Sequence, residues 1–168
     1  MSDWLENHTI DEIVLGQKAR LLRTLRREDI LAFAAVSGDV NPAHLDPEYA
    51  AGTVFHGVIA HGMWGGALIS ALLGTVFPGP GTIYLEQQLR FSRPVHLGDT
   101  LTVEVVVIAI DEKHRHLDLD CHVRNQHEEV VISGLARVLA PRDKLRIPRP
   151  PLPGLQVTDE GATTAQSA

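Results

Sequence analysis

Apolar residues at positions 30, 33 and 34, followed by Ser37, recur at three- and four-residue intervals, and this spacing predicts a short amphipathic helix over residues 27–38. Glu28 and Asp29 stand in its first turn, where the helix dipole favours acids, and Gly38 is a natural stop. Residues 61–77 are almost continuously apolar or small. Met63, Trp64, Ala67, Leu68, Ile69, Ala71, Leu72, Leu73 and Val76 cover every side, which predicts a helix buried all round. Pro78, Gly79, Pro80 and Gly81 end it. Beyond them the period changes to two. Leu101, Val103, Val105, Val107 and Ala109 alternate with Thr102 and Glu104, and Leu117, Leu119, Cys121 and Val123 alternate with Asp118, Asp120, His122 and Arg124. Such alternation predicts antiparallel strands with one face in a core. Further strands are expected at residues 82–92, 130–139 and 18–24, with connections near 111–114 and 125–128.

Between the two helices, residues 39–47 are too dense in Asp, Asn and Pro for a regular element and predict a loop with defined turns. Asp46 and Pro47 then form an N-cap and first-turn pair that starts a brief helix through Tyr49 and Ala51. The order helix, loop, buried helix, strands gives an α+β layout, a sheet against one dominant helix. Half of the chain's 10 prolines fall from Pro141 onward. Residues 1–140 are therefore expected to form one domain, with 141–168 an extended or disordered tail.

A length of 168 residues suits one core and not two. With 44% hydrophobic and 21% charged residues the profile is that of a globular chain. The net charge of -6 argues against nucleic acid and anionic membranes as partners, since both select clustered positive charge. The single cysteine, Cys121, excludes an internal disulfide or a thiolate zinc site and fits a reducing cytoplasm. Residues 1–9 lack the basic and apolar regions of a secretory signal, and no run approaches the roughly 18 apolar residues of a membrane helix.

Two places could carry chemistry. Asp39, Asn41 and His44 lie within six positions, so a carboxylate and an imidazole could share one water, with Asn41 orienting them. The same residues serve as turn-forming groups on a surface loop, and spacing alone favours that reading, because loops rich in Asp and Asn are common. His61, Gly62 and Met63 open the long helix, where free N–H groups and the dipole could hold a developing oxyanion. Alternatively Gly62, with Gly65 and Gly66, is small only to bring the helix close to the sheet. His44, His56 and His61 with Asp39 and Asp46 are a weak metal set, because five residues separate His56 from His61 where one helical face needs about four. His96, His114, His116, His122 and His127 read as solvated. Arg90 and Arg93 put positive charge beside an apolar strand, either for phosphates or as charges guarding a sheet edge.

Four blocks in order then resemble the MaoC-like (R)-specific enoyl-CoA hydratases: residues 37–46 (Ser-Gly-Asp-Val-Asn-Pro-Ala-His-Leu-Asp), 59–63 (Ile-Ala-His-Gly-Met), 80–85 (Pro-Gly-Thr-Ile-Tyr-Leu) and 91–99 (Phe-Ser-Arg-Pro-Val-His-Leu-Gly-Asp). The likeness spans roughly residues 13–141 and is nearest to the hydratase domain fused elsewhere to phosphate acetyl/butyryltransferases, a second domain not expected within these 168 residues. It implies a hot-dog fold, an antiparallel sheet wrapped around a central helix, assembled as a homodimer or higher homo-oligomer. It also implies reversible hydration of a trans-2-enoyl-CoA to an (R)-3-hydroxyacyl-CoA, with no cofactor and no metal. Asp39 and His44 fall on the family's catalytic pair and Gly62 on its oxyanion N–H. Asn41 is then an orienting residue, while Arg90, Arg93 and Met63 are candidate contacts to the acyl-CoA. A thioesterase on the same fold and a non-catalytic acyl-CoA-binding subunit are the alternatives the fold leaves open.

Overall fold

The computed structural model describes residues 3–154. Its centre is a five-stranded antiparallel sheet in the order β2-β4-β5-β6-β3, with β2 at Lys18–Thr24, β3 at Ile83–Phe91, β4 at Thr100–Asp111, β5 at His116–Arg124 and β6 at Val130–Leu139. Each predicted strand is present, because alternation fixes which face enters the core. Val103 lies opposite Val123, Val105 opposite Cys121 and Val107 opposite Leu119, all of them buried.

Helix α1, Arg27–Ser37, precedes two short helices, α2 at Pro42–Leu45 and α3 at Pro47–Ala51, and the long α4, Gly62–Thr75. Helix α4 packs against β2, β3 and β4, and its Ile69, Leu72 and Leu73 join the buried core. This is the hot-dog arrangement. The fit is close: a Cβ on Gly65 would collide with Ile132 of β6.

Three expectations are corrected. Helix α4 is not buried all round, because Met63, Ala67, Ser70, Ala71 and Gly74 form one exposed face. A uniformly apolar sequence has no polar stripe to show which side lacks a partner within the chain. The loop at 39–47 contains the regular turn α2, because the Asn41 side chain accepts the Ala43 N–H at 3.0 Å and Pro42 is pre-set for a first helical position. Asp46 caps α3 as expected, accepting from the N–H groups of Glu48 and Tyr49.

Chain beyond residue 140 also remains on the body. Strand β1, Trp4–Glu6, pairs antiparallel with β7, Arg146–Pro148, and the Arg146 guanidinium lies 4.9 Å from the centroid of the Trp4 ring. Asn7, fully buried, donates to the carbonyls of Pro80 and Asp143 and accepts from the Leu145 N–H. Lys144 donates to Glu12 at 2.8 Å and to the Asn7 carbonyl at 2.6 Å. A three-residue strand with little apolar patterning carries no periodic signal, and its partner lies at the other end of the chain. Of the tail, residues 155–168 lie outside the described residues.

Candidate active site

Asp39 is placed by the end of α1. Gly38 takes the left-handed conformation, φ 74°, and its N–H reaches the Ala34 carbonyl at 2.8 Å, turning the chain out of the helix. The Asp39 N–H then meets Ser37 Oγ, and Asp39 Oδ1 accepts the Asn41 N–H at 3.2 Å. Asn41 therefore holds the carboxylate through its backbone, while its side chain caps α2. His44, in that single turn, donates Nδ1–H to the Ile59 carbonyl at 2.8 Å. A carbonyl only accepts, so the proton is on Nδ1 and Nε2 is left to the site. Ile59 is fixed in turn by Ala43 and by a β-bridge to His96. His96, expected to be solvated, is half-buried and donates Nε2–H to the Phe55 carbonyl at 3.0 Å, tying down the same loop.

The ionisable atoms of Asp39, His44 and His61 all lie within 4.8 Å of one another. Two hydrogen bonds to one water oxygen set their outer atoms about 4.6 Å apart, so a carboxylate and an imidazole within that bound are close enough to share one water. The trio does not fit a metal ion. The rings of His44 and His61 stack with centroids 3.9 Å apart and planes 31° apart. A metal binds in the plane of each imidazole about 2 Å from nitrogen, and planes so disposed converge far beyond that distance.

Next to this pair lies a cavity of about 300 Å³ lined by His44, His61 and Gly62, with apolar walls from Phe55, Trp64, Phe91 and Ile132. Gly62 is the first residue of α4, where backbone N–H groups have no acceptor within the helix and the positive end of the dipole emerges. A Cβ at Gly62 would sit 3.1 Å from the Phe91 ring, so glycine keeps the approach to its N–H open. A carboxylate, an imidazole with a free Nε2 and an N–H donor at a helix end thus meet at one end of an apolar cavity.

A family model described as the MaoC like domain matches residues 10–130. The chain belongs to the MaoC-like family. An (R)-specific enoyl-CoA hydratase of Rhodospirillum rubrum is 44% identical over 142 residues, 83% of this chain and 96% of its own length. The unliganded R-hydratase PhaJ1 of Pseudomonas aeruginosa is 46% identical with a TM-score of 0.88, covering 92% of this chain and 99% of that one. The (R)-hydratase of Aeromonas caviae involved in PHA biosynthesis is 43% identical with a TM-score of 0.75, covering 77% of this chain and 98% of that one.

In this MaoC-like chain the structure brings Asp39, Asn41, His44 and Gly62 together and places Arg93 on the cavity wall. Arg93 is held by the Val130 carbonyl at 3.3 Å and by Glu129 at 3.4 Å. Arg90 and Met63 lie elsewhere. Phe91 of β3 faces the cavity, and side chains alternate across a strand, so Arg90 faces the opposite side with Gln88 and Ser133. Met63 is one of the exposed residues of α4 and lines a second, apolar groove with Phe33, Ala67, Tyr84 and Leu89. The sequence reading takes His61 only as the start of the long helix and as a member of a weak metal set, yet its ring lies against His44. Its burial, at 3% exposure, was the missing signal, and no spacing rule reports burial.

Proposed function

We propose that this protein is an (R)-specific enoyl-CoA hydratase, a hydro-lyase that reversibly adds water to a trans-2-enoyl-CoA. The observation that carries this reading is the Asp39 and His44 pair, close enough to share one water, at the end of the cavity that His44 and Gly62 line. The relatives at 44% and 46% identity support it through their own activities.

The acyl group enters the apolar cavity with its thioester oxygen toward the Gly62 N–H. The Asp39 and His44 pair takes a proton from the bound water as the hydroxide oxygen bonds to the β-carbon. The electrons of the double bond move through the α-carbon onto the thioester oxygen. There the N–H donor and the helix dipole stabilise the enolate, a kind of contribution often worth about 3 kcal/mol per donor. The pair then returns a proton to the α-carbon, and the atoms of one water have been added. Because the water is held on the protein side of the bound acyl group, addition occurs on one face, which sets the configuration at the β-carbon. Arg93 at the cavity wall meets the phosphates of the CoA.

The protein works as a homodimer. Of the two sheet edges, β3 exposes Ile83, Tyr84, Leu85 and Phe91, whereas β2 exposes Leu22 alone among large apolar residues. Edge β3 adjoins the apolar groove beside the uncovered face of α4, and a second copy would pair the edge and cover the groove together. Its place is a reducing cytoplasm, in keeping with the lone and buried Cys121.

The deciding experiment gives purified protein a panel of enoyl-CoAs and follows the conjugated enoyl absorbance, the chirality of the product and the release of free thiol. Loss of absorbance with an (R)-3-hydroxyacyl product and no free thiol is expected. Thiol release without hydration would make it a thioesterase, and binding without turnover an acyl-CoA-binding subunit.

A further inference from the structure

We infer that His61 is a positioning residue for hydration, locking Asp39 through its main-chain carbonyl and His44 through ring stacking, an inference that rests on the hydratase reading above. His61 is the N-cap residue of α4, yet its side chain makes no cap hydrogen bond. A helix start is served best by Ser, Thr, Asp or Asn, so local stability does not account for histidine here. Its ring is used elsewhere. Nε2–H donates to the Asp39 carbonyl at 2.9 Å, across 22 residues of chain. The peptide that carries this carbonyl also sets where the Asp39 side chain leaves the backbone. One face of the His61 ring lies on His44, centroids 3.9 Å apart, and Phe33 packs against the same ring at 5.0 Å. The peptide after His61 carries the Gly62 N–H. One side chain thus ties together the three groups that the reaction needs in register.

The cost of this arrangement is visible in the structure. With Nε2 protonated, the neutral ring has its lone pair on Nδ1, and that atom is buried without a partner. An apolar residue of similar size would avoid the penalty of an unsatisfied buried group. Among side chains that fit the space, only one with a donor at the Nε2 position can hold the Asp39 carbonyl.

Two substitutions separate the hydrogen bond from the stack. His61→Phe keeps a ring against His44 and loses the donor. His61→Gln places an amide N–H near the Nε2 position and loses the ring. With a short enoyl-CoA as substrate, His61→Phe is expected to lower kcat about 10- to 100-fold with KM within about threefold of wild type, since a misplaced catalytic group affects the reaction more than binding. His61→Gln should recover a large part of that loss. Both limbs of the wild-type pH-rate profile should persist in each variant, because His61 passes no proton. Wild-type kcat in His61→Phe, or no recovery in His61→Gln, overturns the assignment. A third measurement needs no variant: long-range 15N–1H spectra of the wild-type protein, assigned to residue, should show His61 protected from exchange and protonated at Nε2 with a bare Nδ1. A His61 resonance protonated at Nδ1 overturns the assignment as well. Wild-type protein inert toward every enoyl-CoA would refute the hydratase reading instead, and the spectra would still report whether the hydrogen bond exists.

Discussion

Gly62 is the residue at which the proposed oxyanion donor can be removed while the helix is kept. It is the first position of α4, where proline is tolerated, and His61 before it has φ -59° and ψ 133°, the extended backbone that a following proline requires. Gly62→Pro therefore deletes the N–H without breaking the helix, and kcat is expected to fall about 10²- to 10³-fold. Gly62→Ala is the control. It retains the N–H and adds only the Cβ that crowds Phe91, so it should retain much more activity. Asp39→Asn and His44→Ala should each lower kcat about 10²- to 10⁴-fold while circular dichroism and melting temperature remain near wild type, because Asp39 is exposed and His44 half-buried. At this scale the loop that holds Asp39, Asn41 and His44, the proposed catalytic residues, was legible in the sequence, since the three are neighbours in the chain. His61 was not, because its contacts with Asp39 and His44 depend on how two distant segments fold together.

At the scale of elements, the sequence supplies strands and helices wherever the period is long enough to read, and misses β1 and β7. The joint between them is testable. Asn7→Ala removes a fully buried side chain with three hydrogen bonds and leaves their partners unsatisfied. The cost is about 2 to 3 kcal/mol, which lowers the melting temperature of a chain this size by about 5 to 10 °C. Beside it, the hydrogen bond from Lys144 holds the Glu12 carboxyl below its ordinary 4.5, and the same bond raises Lys144 above its ordinary 10.5. A lowered acid stabilises the fold above its unfolded pKa and loses that contribution as pH falls through the folded one; a raised base does so below its unfolded pKa and loses it as pH rises through the folded one. The melting-temperature gap between wild type and Lys144→Met should therefore be widest from about pH 5 to about pH 10 and narrow on either side. Because Lys144 also donates to the Asn7 carbonyl, a constant remainder of the gap stays at low pH; a gap that did not narrow between about pH 5 and about pH 2 would contradict the pairing.

For the whole molecule, the proposed dimer rests on the uncovered face of α4 and the β3 edge. Ala67 is exposed beside the apolar groove, away from Asp39 and His44. Ala67→Glu would bury an unpaired carboxylate in a dimer and leave a monomer unaffected. Sedimentation equilibrium should show a dimer for wild type and a monomer for the variant, and an unaltered dimer would place the interface elsewhere. The sequence by itself determined the sheet, its core face, the helix at its centre and the loop that carries Asp39 and His44. Period and neighbouring residues are local properties, and a local property survives without the fold. Only the tertiary structure decided that α4 has an exposed side, that the two chain ends clasp, that Arg93 and not Arg90 reaches the cavity, and that His61 lies against His44. Each of those depends on which distant surfaces exclude water from one another, and burial exists only once the chain has folded.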